Sequence, residues 1–205
     1  MNGIMNETPY IVIGKDRAKE AAGVLERAFF QYDYFTLPIP DPKKRRTALH
    51  YIFKFLVNYG IKSGEVHATS PSMEGVAIWL PSEKRDIPVF QSIFCGIMPI
   101  LLFANKKGIM KIDSMEKLMI KKENEVIKEP HWFLSMIGVD PAFQQKGHGA
   151  NLIKAMIPKA DADKKRIYAE TQSKRNVDFY KRLGFNVMDE YILPEINLNC
   201  WAMLR

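Results

Sequence analysis

Two clusters in the last third of the 205-residue chain combine residue types and spacings that could do chemistry. The first is Gln144-Gln145-Lys146-Gly147-His148-Gly149-Ala150. Its glycines stand just ahead of Leu152, Ile153, Ala155, Met156 and Ile157, apolar residues at helical spacing, so a helix is expected to begin near Gly147. Bare backbone amides at a helix's positive end favour an anion, and a pyrophosphate suits such a turn. A Gln-x-x-Gly-x-Gly string alone is weak, because Gly-x-Gly turns also end strands for purely conformational reasons. The second cluster adds to it. Tyr168-Ala169-Glu170-Thr171 reads as a short strand, and 176–185, with Asn176, Phe179, Tyr180 and Gly184, as a helix closed by glycine.

The elements that must position these clusters can be read along the chain. Residues 131–140, HWFLSMIGVD, are rich in aromatic and branched side chains and stop at Pro141, as a buried strand should. Before it come a short strand at 10–13 and a helix carrying Ala18, Ala21, Ala22, Leu25, Ala28 and Phe29. A second helix is expected over 46–59, ending at Gly60, and a hairpin over 65–69 and 75–80. Residues 87–104 are almost uncharged and nearly as long as the roughly 20 residues that cross a bilayer. Gln91, Ser92, Gly96 and Pro99 interrupt them, which favours a buried or pocket-lining helical segment. A charged amphipathic helix over 112–128 turns Met115, Leu118, Met119 and Ile127 inward, and 186–193 and 196–204 form a closing antiparallel strand pair. The strands around 131–171 are joined by a crossover helix and should run parallel, giving an α/β or α+β domain with a mixed sheet flanked by helices.

In this order and spacing, Gln-x-x-Gly-x-Gly and Asn-x-x-x-Tyr-x-x-x-Gly-Phe resemble the GNAT acetyltransferase superfamily over 132–185. Ala169-Glu170-Thr171, Arg175-Asn176, Phe179-Tyr180, Arg182-Leu183-Gly184-Phe185 and Trp201-Ala202-Met203 look like its puromycin N-acetyltransferase branch, with thinner support from the strand at 77–81. The resemblance implies a mostly antiparallel central sheet in which two parallel strands splay apart to hold acyl-CoA. It implies one domain over 1–205, with a CoA-binding core at 131–185 and acceptor-pocket elements at 31–130. Acetyl-CoA is then the cosubstrate, lying against Ile137, Gly138, Val139, Gln144, Gln145, Lys146, Gly147, His148, Gly149, Ala150, Asn176, Phe179 and Tyr180. The backbone of Ile137 and Val139 would pair with the pantetheine amides as a pseudo-strand, the Val139 amide also serving as oxyanion donor.

Acyl transfer to an amine needs a free nucleophile, a stabilised oxyanion and a proton for the departing thiolate. Tyr180, four residues after Asn176 and on the same helical face, matches the family's general acid; its plainer role is a core tyrosine beside Phe179. Asn176 matches a residue that binds the CoA arm, or caps the helix. Glu170 is the best carboxylate to take an amine proton, or equally binds a substrate cation without moving one. His131 at a strand edge is expected to be structural or solvated.

Bulk composition narrows the classes. The chain is long enough for one well-packed domain and short for two. Cys95 and Cys200 give neither a disulfide framework nor metal-ligand spacing, and the start shows no signal core, so the cytoplasm is the default and no metal is expected. A net charge of +7 could suggest nucleic acid, yet Lys and Arg are dispersed apart from 43–46 and 164–166, which solvated helix ends explain. The expected activity is therefore transfer of an acetyl group to a primary amine of a small molecule by direct attack. A peptide acceptor and a non-catalytic acyl-CoA-binding module are the alternatives. The acceptor and the oligomeric state are not legible, although 87–104 could contribute to a homodimer interface as easily as to a pocket.

Overall fold

The computed structural model describes residues 10–103 and 105–205, with 89–91 and 101–103 described by backbone alone. The first residues of the chain, where no signal core is read, and Ala104, the end of the apolar stretch, lie outside the described residues. Among the described residues, seven strands form one sheet in the order β1-β2-β3-β4-β5-β7-β6. They are β1 (Ile11–Val12), β2 (Glu65–Ala68), β3 (Gly75–Pro81), β4 (Trp132–Val139), β5 (Ile167–Thr171), β6 (Asn186–Leu193) and β7 (Leu198–Leu204). Every neighbouring pair is antiparallel except β4 and β5, which run parallel as their crossover requires.

The helices are α1 (Ala18–Phe29), α2 (Asp33–Thr36), α3 (Pro42–Ser63), α4 (Val89–Cys95), α5 (Met98–Phe103), α6 (Lys106–Val126), α7 (His148–Ala162) and α8 (Lys174–Lys181). α3 starts four residues before the sequence expectation, because the Asp41 carboxylate accepts from the Lys43 and Lys44 amides and Pro42 fits the first turn. It also runs through Gly60. That glycine serves close packing: a Cβ there would lie 2.6 Å from Ile78 Cγ2 and 2.9 Å from Val66 Cγ2. Arg45 departs from the solvated-helix-end reading; it is 4% exposed and donates to the carbonyls of Phe30, Ile39 and Pro40. α6 likewise begins early, where the Asn105 side chain accepts from the Gly108 amide. The apolar stretch at 87–104 is broken at Gly96 into α4 and α5, and among the described residues no helix is long and apolar enough to cross a membrane.

Two hydrophobic clusters sandwich the sheet. One holds α1, α3 and α6 against side chains such as Ile78, Phe133 and Tyr168; the other holds α7 and α8 against Trp79, Leu134, Ala169 and Met203. The period of two along β5 sets which of its side chains reach which cluster. Tyr168 and Glu170 share the face toward α6, while Ile167, Ala169 and Thr171 face the other way.

Candidate active site

β4 and β5 pair only at Trp132–Ile167, Phe133–Tyr168 and Leu134–Ala169. Past those residues β4 stays with β3 and β5 with β7, so the two strands part. The β3–β4 register shifts where Ile78 pairs with Met136 and Trp79 with Leu134, leaving Ser135 as an extra residue on β4. Such a bulge bends a strand and sharpens its twist, which accounts for the parting. Asp140 donates its amide to Glu74 on the β3 side. Amide directions alternate along a strand, so the amides of Val139 and Ile137 face the gap, where β5 no longer offers a partner.

A cavity of about 1070 Å3 passes through this gap and joins the two faces of the sheet. On the α8 side its lining includes Gln144, Gln145, Gly147, His148, Gly149, Ala150, Asn176, Phe179 and Tyr180, together with Ile137, Gly138 and Val139 of β4. Among the described residues, Arg175 and Arg182 are the charged side chains of that half, and no carboxylate accompanies them there. On the α6 side the described lining carries Asp86, Asp113, Glu116 and Glu170 against the cation of Arg85. One half thus suits an anion and the other a cation. Lys146 does not line the cavity; its ammonium sits 5.3 Å from the centre of the Phe143 ring.

Glu170 is the centre of the α6 half. Its side chain is 2% exposed, and its Oε1 accepts from Tyr168 at 2.9 Å and Tyr191 at 2.7 Å. Oε2 faces Arg85 Nη2 at 3.6 Å, beyond hydrogen-bond length, and both atoms are buried without a hydrogen-bond partner among the described residues. Burial raises the Glu170 pKa to about 7 against the opposing pull of Arg85 and the two phenols. Arg85 also bonds Glu123 through Nε at 2.9 Å and Glu116 through Nη1 at 3.0 Å, and stacks 3.9 Å from the centre of Phe133. Desolvation pulls the guanidinium pKa down, but the three carboxylates outweigh it and hold it above its ordinary value. His131 is buried, as the structural reading expects: Nε2 meets Glu123 at 2.9 Å and Nδ1 donates to the Glu129 carbonyl at 2.8 Å.

Tyr180 reaches the cavity from the opposite side. It is 4% exposed, packs edge-on against Phe179, and its phenol makes no hydrogen bond among the described residues. Burial raises its pKa, so it stays protonated through the neutral range. Asn176 is the third residue of α8 and lines the cavity; Ser173 occupies the cap position, so capping does not explain the asparagine. Gly147 holds φ at 85°, a left-handed turn open to glycine, and a Cβ there would meet no atom within 4 Å. The residues that open α7, His148, Gly149 and Ala150, line the cavity beside it.

Residues 115–185 match the model of the acetyltransferase (GNAT) family. The match covers 71 of the 205 residues. Solved structures share the fold over nearly its whole length. A histone acetyltransferase HPA2 and related acetyltransferase from Corynebacterium glutamicum is 19% identical with a TM-score of 0.64, covering 95% of this chain and 93% of that one. A putative arylalkylamine N-acetyltransferase of the yellow fever mosquito is 15% identical with a TM-score of 0.66, over 96% and 86%. An agmatine N-acetyltransferase is 10% identical with a TM-score of 0.64, over 96% and 99%. At these identities the likeness shows a shared fold and leaves the acceptor open. A curated relative, a probable serine/threonine-protein kinase of Dictyostelium discoideum, is 29% identical over 116 residues, 55% of this chain. The chain spans 12% of that protein's length, and the kinase name stays with it.

The motif reading brings Glu170, Tyr180, Asn176 and the glycine turn to one cavity. It does not reach Arg85, Glu116, Glu123, Tyr34 or Tyr191. Glu123 sits on the buried stripe of α6 with Met115 and Met119, and a carboxylate on an apolar stripe was the one available signal. Arg85 comes directly after a single turn at Ser82–Lys84 among other charged residues, and nothing in its spacing marks it.

Proposed function

We propose that this chain is an acetyl-CoA-dependent N-acetyltransferase that acts on a primary amine of a small molecule by direct attack. The observation that carries the reading is the bare, buried Glu170 Oε2 on the wall of the same cavity as the free β4 edge and the Tyr180 phenol. The residues present fit the cosubstrate: an unpaired strand edge suits an amide-bearing arm, and the α7 amides with Arg175 and Arg182 suit phosphates. Acetyl-CoA, when bound, supplies an activated acetyl thioester, whose acyl carbon bonds to nitrogen as its bond to sulfur breaks.

The chain's own residues carry the protons. Glu170 Oε2, ionised above about pH 7, accepts the proton that the amine loses. The Val139 amide donates toward the oxyanion, and Tyr180 gives its phenolic proton to the thiolate. The proton on Glu170 returns through solvent to the phenolate, which balances the turnover. Walls supplied by α1, α3, α5 and α6 around the acceptor half favour a small molecule over a peptide. The C-terminal motifs support a place near the puromycin branch, one domain over 1–205 and, with the cysteine usage, a cytoplasmic location. Fold neighbours named for arylalkylamines and for agmatine support an amine acceptor while differing on its kind.

The test is thiol release from acetyl-CoA with a panel of small amines. Glu170→Gln and Tyr180→Phe should each lower kcat about 100-fold or more at pH 8. In the native chain kcat should fall as pH drops through about 7, because the base is then protonated, and this limb should vanish in Glu170→Gln. Tight acetyl-CoA binding without turnover of any amine would point to the binding-module alternative.

A further inference from the structure

Much of the wall of the acceptor half beyond Glu170 is made of side chains that cannot form hydrogen bonds, with Ser92, Asp86 and Asp113 among the exceptions. Ile52 and Phe55 reach it from α3, Ile97 from the link between α4 and α5, Ile100 from α5, and Ile109 and Ile112 from α6. The carboxylates nearby are not equivalent. Both oxygens of Glu116 are engaged, Oε1 by the Tyr34 hydroxyl at 2.7 Å and Oε2 by Arg85 at 3.0 Å. Asp113 is exposed and binds Lys117 at 2.6 Å, and Asp86 is exposed. Among the described residues lining the cavity, Glu170 Oε2 is the one buried acceptor atom without a hydrogen-bond partner.

From this we infer that the acceptor is a primary amine borne on an apolar body, and that a second cationic group on that body is selected against. The inference rests on the acetyltransferase reading and narrows it. The free oxygen serves a single amine. An ammonium held against Ile52, Phe55 or Ile100 would lose its hydration with no free buried carboxylate to replace it, since both Glu116 oxygens are engaged and Asp86 and Asp113 are exposed. Each methylene added to a straight-chain amine instead leaves water for an apolar wall, which is worth about threefold to fourfold in kcat/KM. Specificity of this kind comes from two effects together, gain on the apolar body and rejection of the misplaced charge.

The experiment uses the native chain and two series of acceptors, n-alkylamines from propyl to octyl and the α,ω-diamines of the same carbon number, with thiol release as the readout. We expect kcat/KM to climb by about threefold to fourfold per methylene along the alkylamines until the cavity is filled. Each diamine should fall at least about tenfold below its monoamine. Alkylamine values that stay flat with length, or diamines that match or exceed the monoamines, would overturn the inference and leave the acetyltransferase standing. No turnover with any member of either series would remove the acetyltransferase reading itself, and this inference with it.

Discussion

Glu170 presents two unlike oxygens, one accepting from two phenols and one bare beside a guanidinium it does not quite touch. That asymmetry holds the carboxylate in place while leaving a lone pair for an incoming amine. Arg85 makes the arrangement tolerable. It stands among Glu116, Glu123 and Glu170, three carboxylates that would otherwise repel one another in a buried site. Removing it should therefore do more than delete contacts. Arg85→Met is expected to lower stability by about 3–5 kcal/mol at pH 8. The loss should shrink at pH 5, because the guanidinium is what pulls the Glu170 pKa down and without it the carboxylate protonates more readily. Urea unfolding of both proteins at the two pH values measures this, and an equal loss at both would refute the account. That Tyr180 and Glu170 line one cavity was legible because they belong to motifs with fixed spacing. Arg85 was not, since its role depends on three carboxylates from α6 and β5 that only the folded chain brings together.

Elements were legible wherever periodicity was long and uninterrupted, as in α1, α7 and the β2–β3 hairpin. Boundaries were missed where a cap set them. Asp41 and Asn105 each start a helix ahead of its apolar pattern, and Gly60, which looks like a stop, instead lets α3 approach Ile78 and Val66. The bulge at Ser135 was hidden for a related reason: a serine in a strand carries no mark of the register shift that parts β4 from β5. The turn into α7 was legible because Gly-x-Gly is a local conformational demand. Its strict test is Gly147→Ala. A Cβ meets open space there, so the strain of a left-handed alanine costs only about 1–2 kcal/mol. Relief of that strain swings the amides that open α7, and loss of one charge-assisted hydrogen bond should raise KM for acetyl-CoA by about tenfold or more. The kcat at saturation should stay close to native, and a large fall in kcat with KM unchanged would place the turn's role elsewhere.

At the scale of the whole molecule, the sequence shows a net charge of +7 but not its partition, because the faces that meet at the cavity come from segments as distant as residue 85 and residue 182. The fold sorts these charges so that Arg175 and Arg182 stand on one side of the sheet and the carboxylates on the other. The cavity also interrupts the sheet where β4 and β5 part, so strand pairing ceases to connect its two halves there. A ligand lying in the gap supplies contacts to both halves and binds the folded chain alone. Linkage then gives about 2.7 kcal/mol at a concentration 100 times Kd. For a chain of this size that corresponds to a rise in Tm of about 5–10 °C. Thermal melts with acetyl-CoA should show that rise at low salt and a smaller one at 0.5 M salt, about the strength at which the Debye length shrinks to the spacing of a few atoms. An amine alone, engaging only Glu170, should shift Tm far less. A shift that acetyl-CoA fails to produce at millimolar concentration would mean that the gap between β4 and β5 is not where the cosubstrate binds.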